Sequence, residues 1–371
     1  MMRGLFIFVL YQFLNSIING FLIRIPRQQE DTVGTPRVSV LIPARNEEEN
    51  IGQCVQSLLM QDYPNYEIVV LNDSSEDGTT TVLKNINSEK LKVIESKDVL
   101  PEGWTGKNWA CYRLFLNSTG EIVIFTDADT IHSSNMISTM VQEMERRNLS
   151  FASGIPRELI TTFGERITVP FMNYSIVSIF PIFLNYLSPV FNMFSVANGQ
   201  FLMFKRCAYE QIGGHAAVKE EIVEDIELSK LVCKHGMKVG MYNLSNLVSC
   251  RMYRGFREAF KGLSKSYFAL FGMRIIPSLF VWTWMLIVGI YPLFSLLEPA
   301  HRLLALEIIC MTMLIWYETS LHYKLPRHIV FYYPLINLVN SLIGFHSIIT
   351  GLQGNTSWKG RTISVKKPRW F

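Results

Sequence analysis

The sequence predicts an α/β fold, a mostly parallel sheet between helices, joined to transmembrane helices. Two observations carry this reading. Apolar runs at 38–42, 67–71 and 122–125 show no alternation and pass abruptly into polar residues, the habit of strands buried on both faces of a parallel sheet. Long charge-free segments stand near both ends of the chain, and 49% of its residues are hydrophobic, a high share for a purely soluble domain.

Residues 4–23 carry no charge, with Arg3 before them and Arg24 and Arg27 after, a stretch long enough for a bilayer core of about 30 Å. Arg24-Ile25-Pro26-Arg27 is a poor small-residue cleavage site, so residues 1–25 read as a retained anchor rather than a signal peptide. Residues 28–37 are polar with Gly and Pro and read as a linker. A globular domain follows over 36–265. Strand 38–42 precedes a helix over 47–60, closed by Asp62-Tyr63-Pro64, and strand 67–71 precedes a helix opened by Ser74-Ser75-Glu76-Asp77. A strand at 91–94, a helix at 106–116, a strand at 121–126 and a helix at 133–147 continue the alternation, which implies right-handed crossovers in one sheet.

Residues 167–204 carry no charge but are interrupted by Pro170, Pro181 and Pro189 and contain no hydrophilic turn. They read as a segment lying on the membrane surface. Residues 275–297 and 329–350 carry no charge and 303–317 only Glu307, so 275–350 reads as a transmembrane bundle. Residues 351–371 form a basic tail with Lys359, Arg361, Lys366, Lys367 and Arg369.

The net charge is +4, and the basic residues cluster beside apolar segments. That suits the cytoplasmic face of a membrane better than nucleic acid. The six cysteines show no CxxC and no paired spacing, which indicates neither a zinc site nor a disulfide scaffold and suits a reducing compartment.

Ligands of open α/β sheets bind beyond the carboxyl ends of the strands. The polar residues collected there are Pro43-Ala44-Arg45-Asn46-Glu47, Asn72-Asp73, and Asp127 with Asp129. The turn after the first strand has neither GxGxxG nor GxxxxGK[ST], so phosphate charge must be met by a metal and basic side chains rather than a glycine cradle. Asp127 and Asp129 suit a hard divalent cation, Mg2+ or Mn2+. Lys107, Arg251 and Arg254 are candidate cations for phosphate.

These pieces, VSVLIPARNEEENIGQCVQSLLMQDYPNYEIVVLNDSSEDGT, GKNWAC, FTDADT, NGQFLMFKRCAYEQIGGH, VEDIELS and RMYRGFREAF, span about residues 38–260. In order and spacing the chain resembles family 2 glycosyltransferases with the GT-A fold. Within that family it is most similar to membrane enzymes that glycosylate lipids, the hopanoid-associated and carotenoid-acid (diaponeurosporenoate-type) transferases, and more distantly to ceramide glucosyltransferases; Trp358-Lys359-Gly360-Arg361 adds to the likeness. The resemblance implies that Pro43, Arg45, Glu47 and Asp73 line the nucleotide pocket. It makes Asp127 and Asp129 the DxD that holds ribose and the diphosphate-bound metal. Asp225, beside Glu224, becomes the catalytic base, with Arg251 and Arg254 near the leaving diphosphate. Two departures stand out: Gly255 replaces a usual Trp after Arg254, and Asn72-Asp73-Ser74-Ser75 replaces Asp-Asp-Gly-Ser, so only Asp73 transfers.

Blander roles are assigned to other residues. Asp77 reads as a helix cap. His215 reads as structural or pocket-lining rather than a metal ligand, and Trp109, Tyr253 and Phe256 as packing or membrane contacts. Trp104 is the acceptor-site candidate.

The expected function is inverting transfer of a hexose, glucose from UDP-glucose, to a lipid-soluble acceptor such as a membrane lipid or carotenoid at the cytoplasmic leaflet of the cell membrane. A single crossing by 167–204 would separate residues that must share one site. A polysaccharide synthase, a polyprenyl-phosphate glycosyltransferase and a non-catalytic nucleotide-sugar-binding scaffold are the alternatives. A cytoplasmic domain behind one anchor and three later crossings would leave the basic tail outside, against the positive-inside preference. Either one segment dips into the membrane or the tail breaks that rule.

Overall fold

The computed structural model describes residues 1–28, 34–354 and 367–371, with the backbone alone at 357–358 and 361–362. Residues 29–33 of the expected linker and the tail side chains from 355 to 366, including Lys359, Arg361 and Lys366, lie outside the described residues. The chain divides into two compact units, one of Ile23–Arg157 and Leu184–Arg251, the other of Met1–Leu22, Glu158–Phe183 and Met252–Phe371.

The first unit is built on a sheet. Its strands are β1 (Val38–Ala44), β2 (Tyr66–Asp73), β3 (Leu91–Ser96), β4 (Ile122–Phe125), β5 (Thr130–His132), β6 (Phe151–Ile155), β7 (Arg157–Glu158), β8 (Leu202–Lys205), β9 (Val239–Asn243) and β10 (Val248–Cys250). Among the described residues seven of them form the main sheet, in the order β3-β2-β1-β4-β8-β6-β9. β1 to β4 run parallel, β8 is antiparallel to β4 and β6, and β9 is parallel to β6. The predicted α/β class with a mostly parallel sheet is therefore the observed one.

Successive residues of a strand face opposite sides, and burial on both sides explains the unbroken apolar runs. Val40 and Ile42 join Ile51, Leu58 and Met140 in one core. Leu41 and Phe125 join Leu114, Tyr209 and Val232 in the other. Helices Ile51–Leu59 and Met136–Arg146 cover the first face, and Gly106–Leu116 and Glu224–Lys234 the second. Two helices start later than expected. Residues 46–48 stay outside the first helix because their amides donate to the side chains of Ser75, Thr79 and Asp77. The next helix begins only at Thr79, after Ser74 turns at φ 52.

The uncharged stretch 167–204 divides. Residues 202–205 are β8, between β4 and β6, so its last residues lack charge because the sheet buries them on both faces. Helix Pro170–Ser178 belongs to the second unit, where Phe171, Tyr174, Ile176 and Val177 are buried. It packs against helix Met2–Leu22 and helix Arg302–His322, and Tyr174 stacks on Trp316 at 4.5 Å between ring centroids. Burial on several sides accounts for the apolar composition of this helix.

In that second unit the polar residues of helix Met2–Leu22 have a specific task. Pro181 and the turn at 179–182 break the helical hydrogen bonding after Ser178, which exposes backbone carbonyls. Asn15 Nδ2 donates to Ser178 O (2.9 Å) and Phe180 O (3.0 Å), and Asn19 Nδ2 donates to Val177 O (2.9 Å) and Phe180 O (2.7 Å). Among the described residues five segments are long and apolar enough to cross a membrane: Met2–Leu22, Phe163–Leu187, Ile275–Ser295, Arg302–His322 and Arg327–Leu352. Four match the predicted ones. Phe163–Leu187 is the addition, and it is broken into three short helices.

Replacing both Asn15 and Asn19 by Leu removes the side-chain donors to Val177 O and Ser178 O, at about 1–3 kcal/mol for each group orphaned, while Phe180 O keeps the Ile182 amide. The double variant is expected to melt at a clearly lower temperature in detergent, although it is the more hydrophobic protein.

Candidate active site

Strand register gathers the site. Ala44 pairs with Asn72, and Leu41 with Phe125, so the chains leaving β1, β2 and β4 emerge at one edge. Arg45, 6% exposed, follows β1 and donates through Nη1 to the carbonyls of Asp73 (2.8 Å) and Ser74 (2.9 Å). Asp73 ends β2 and is also buried. Pro43 lies at the exit of β1. The half-buried Glu47 is fixed by its amide, which donates to Thr79 Oγ1 at 2.8 Å. Asp77 accepts the Thr79 amide at 3.0 Å, the capping role expected of it. Asn72 does not face a ligand: its Nδ2 donates to Thr80 Oγ1 and Glu95 Oε2.

Asp127 and Asp129 are half-exposed on either side of the buried Ala128. Their turn is closed by Thr130 Oγ1, which donates to Asp127 O at 2.7 Å. β5 and β10 then pair antiparallel, Thr130 opposite Cys250. Asp129 just before β5 and Arg251 just after β10 therefore leave the ladder at the same end. Arg254 falls in the other compact unit. There Gly255, the residue in place of the usual Trp, has φ 94 and ψ 178 and donates its amide to Glu165 Oε1 at 2.8 Å. That backbone conformation is nearly restricted to glycine, which explains why a Trp is absent.

A second group of loops meets Asp127. Thr105 caps helix Gly106–Leu116, accepting from the Asn108 amide, and Asn108 Nδ2 donates to the carbonyls of Val218 (2.8 Å), Lys219 (3.2 Å) and Glu221 (3.0 Å). This staple joins the start of that helix to the start of helix Glu224–Lys234. Lys107 Nζ consequently lies 2.9 Å from Asp127 Oδ1 and 2.9 Å from Glu224 Oε1, with the lysine, Asp127 and Glu224 side chains 25%, 30% and 7% exposed. Burial disfavours the ammonium, but Asp127 and then Glu224 hold its pKa well above the usual lysine range.

Asp225 accepts the amide of Gly199 through Oδ2 (2.8 Å) and that of Ile226 through Oδ1 (2.8 Å). Burial, then the neighbouring Glu224 carboxylate, pushes Asp225 up to about 7, with Lys107 and the two amides opposing. Gly199 sits at the centre: a Cβ there would lie 3.0 Å from Lys107 Nζ and 3.6 Å from Asp225 Oδ2 and Glu224 Oε1. The loop is tied down on both sides, by Asn198 N–H donating to Ser153 Oγ and Thr126 Oγ1 donating to Gln200 O. Gly199 and Asn108 were not among the residues expected at the site. Their signals were Asn198-Gly199-Gln200 just before a strand and an Asn in the first turn of a helix.

His215 is engaged by Tyr209, whose hydroxyl lies 2.6 Å from Nδ1 and accepts the His215 amide at 2.9 Å. Burial, then Lys107, lowers it to about 3, so it is a neutral structural residue. The half-exposed Trp104 packs on Trp109 (5.0 Å between centroids) and Tyr112 (5.2 Å), in the turn leading to Lys107.

Residues 39–211 match the model of the family Glycosyl transferase family 2. Over 350 residues the chain is 24% identical to the 4,4'-diaponeurosporenoate glycosyltransferase of Staphylococcus aureus (strain USA300), covering 89% of each chain. It is similar in structure to the mannosyltransferase PcManGT from Pyrobaculum calidifontis, in complex with GDP-Man and Mn2+, with a TM-score of 0.51 and 17% identity over 92% of this chain and 99% of that one. That likeness establishes the GT-A fold expected from the sequence.

Gly199→Ala pushes the pinned Lys107 head away by a few tenths of an ångström, and misplacement on that scale is expected to lower the turnover of this site by about tenfold to a hundredfold. Asp225→Asn tests the part-buried carboxyl. A carboxyl raised from 3.8 to about 7 on folding contributes stability that is full below 3.8 and lost as pH rises through about 7. The Asn variant lacks that loss, so its melting temperature relative to the unaltered protein is expected to rise between about pH 4 and about pH 8.

Proposed function

We propose, from the premise that residues 39–211 are a family 2 glycosyltransferase domain and the chain therefore a transferase, that it is an inverting membrane enzyme moving a hexose from a nucleoside diphosphate sugar to a lipid-soluble acceptor. The donor in this reading is UDP-glucose and the acceptor a carotenoid-type or related lipid. The catalytic unit works at the cytoplasmic face of the cell membrane. The observation that carries the reading is the meeting of Lys107, Asp127, Glu224 and Asp225 in one site, with an ammonium 2.9 Å from each of two carboxylates. The acceptor class is supported by the name of the relative from Staphylococcus aureus, and by five segments apolar enough to hold a membrane. UDP and glucose rest on the family resemblance.

The chemistry follows from charge. Departure of a diphosphate from the anomeric carbon builds negative charge on its oxygens, and fixed cations lower that barrier. In this reading it is received by Lys107, whose ammonium meets Asp127 after β4, and by Arg251, which leaves the ladder at the same end as Asp129. Asp127 and Asp129 suit a divalent cation: both are hard oxygen donors, half-exposed on either side of the buried Ala128. Mg2+ or Mn2+ held there would supply Lewis-acid charge to the leaving group. Arg45, Asp73, Pro43 and Glu47 border the base and ribose at the edge of β1 and β2.

Asp225 is the base. The Gly199 and Ile226 amides fix its orientation, and a pKa near 7 matches a group that must take a proton at neutral pH. It removes the proton from an acceptor hydroxyl attacking opposite the leaving group, a contribution of about 10² to 10⁴ in rate. An acceptor that is itself a carboxylate arrives ionised and needs Asp225 less. Trp104 borders the acceptor side.

The test is transfer by the detergent-solubilised chain from radiolabelled UDP-glucose, with Mn2+, to a polyene alcohol and to a polyene acid, the product being read in the organic phase. Label is expected in both products with inversion, and Asp225→Asn is expected to lose about 10²-fold or more on the alcohol and far less on the acid. Near-normal turnover of the variant on the alcohol would remove Asp225 as base. Transfer from GDP-mannose in place of UDP-glucose would replace the donor.

A further inference from the structure

Lys107 occupies a position with two demands on it. Its Nζ lies 2.9 Å from Asp127 Oδ1, and Asp127 is one of the two carboxylates assigned to a divalent cation. A metal on that carboxylate would stand within a few ångströms of the ammonium, and like charges at that separation repel strongly in a partly buried site. The lysine is not there by chance. Thr105 and the Asn108 staple set the direction of its helix, and Glu224, 7% exposed, holds the same ammonium from the other side at 2.9 Å.

The protein also offers a metal few ligands. Among the described residues no group of three or more His, Cys, Asp or Glu side chains is arranged to hold one. Asp127 is already held by an ammonium, and two carboxylates by themselves make a weak site for Mg2+ or Mn2+. A nucleoside diphosphate changes both terms: its oxygens complete the shell, and its negative charge gives the ammonium another partner. Gly199 leaves the space around Nζ clear of any side chain on that residue.

We propose that Lys107 is the resident counter-cation of Asp127, which keeps a divalent ion out until a nucleoside diphosphate draws the ammonium away, so that metal and donor enter the site together. Glu224 is then a positioning residue, the pivot that retains the lysine in both arrangements. This rests on the assignment of Asp127 and Asp129 to a metal-bound diphosphate.

The experiment is titration of the full chain in detergent with Mn2+, the free ion being read by electron paramagnetic resonance, with and without UDP or GDP. The unaltered protein is expected to take up Mn2+ weakly alone and much more tightly with a nucleotide. Lys107→Gln is expected to tighten Mn2+ binding in the absence of nucleotide by at least about tenfold, equivalent to about 1.4 kcal/mol, and to shrink the effect of nucleotide. Lys107→Arg keeps the charge and is expected to behave like the unaltered protein, while Asp127→Asn abolishes the tightening. The proposal is overturned if the unaltered protein binds Mn2+ equally well with and without nucleotide, if Lys107→Gln changes nothing, or if Lys107→Arg matches Lys107→Gln. Failure of both nucleotides to promote any Mn2+ uptake would overturn the metal assignment itself together with this proposal.

Discussion

One shared ammonium organises the end of the sheet in the first unit. Asp127 arrives at the site from the sheet, and Glu224 from the start of a helix whose sequence position is almost a hundred residues later. Two carboxylates brought together in a partly buried cleft would repel each other. Lys107 between them removes that cost and fixes their spacing. The Asn108 staple, the Gly199 amide and the absence of a Cβ at Gly199 all serve the same junction. The site is therefore assembled around a charge, while the sheet supplies only its floor.

The floor was largely legible from residue order. A double-sided parallel strand needs an unbroken apolar run, so β1, β2 and β4 could be found within a few residues of their observed limits. The positions beyond them had to be polar where the sheet ends. Arg45, Asp73, Asp127 and Asp129 follow from that logic alone. The same logic fails for β8. An uncharged stretch arises equally from lipid contact and from burial between two strands, and nothing in 167–204 marks where one ends and the other begins.

The rest of the site was obscured for a different reason. Gly199 and Asn108 act through partners far away in sequence, Asp225 for the glycine and the loop carbonyls at 218–221 for the asparagine. No local period reveals such contacts. Arg251 and Arg254 illustrate the limit from the other side. Two residues separate them and both match one short element, yet the first ends the sheet-bearing unit and the second lies in the helical one. Gly255 is informative in retrospect, because a backbone at φ 94 admits glycine where the family pattern has an indole.

Helix Met2–Leu22 carries a consequence for biogenesis. Its Asn15 amide finds Ser178 O across 163 positions of chain, so this helix is satisfied only after the residues near 180 have been made. Until the residues near 180 emerge, the amides of Asn15 and Asn19 are without their final acceptors. A purely apolar helix of equal length would leave the broken backbone at Pro181 unserved. Helix Met2–Leu22 is thus a piece of the fold whose completion waits on a segment made much later.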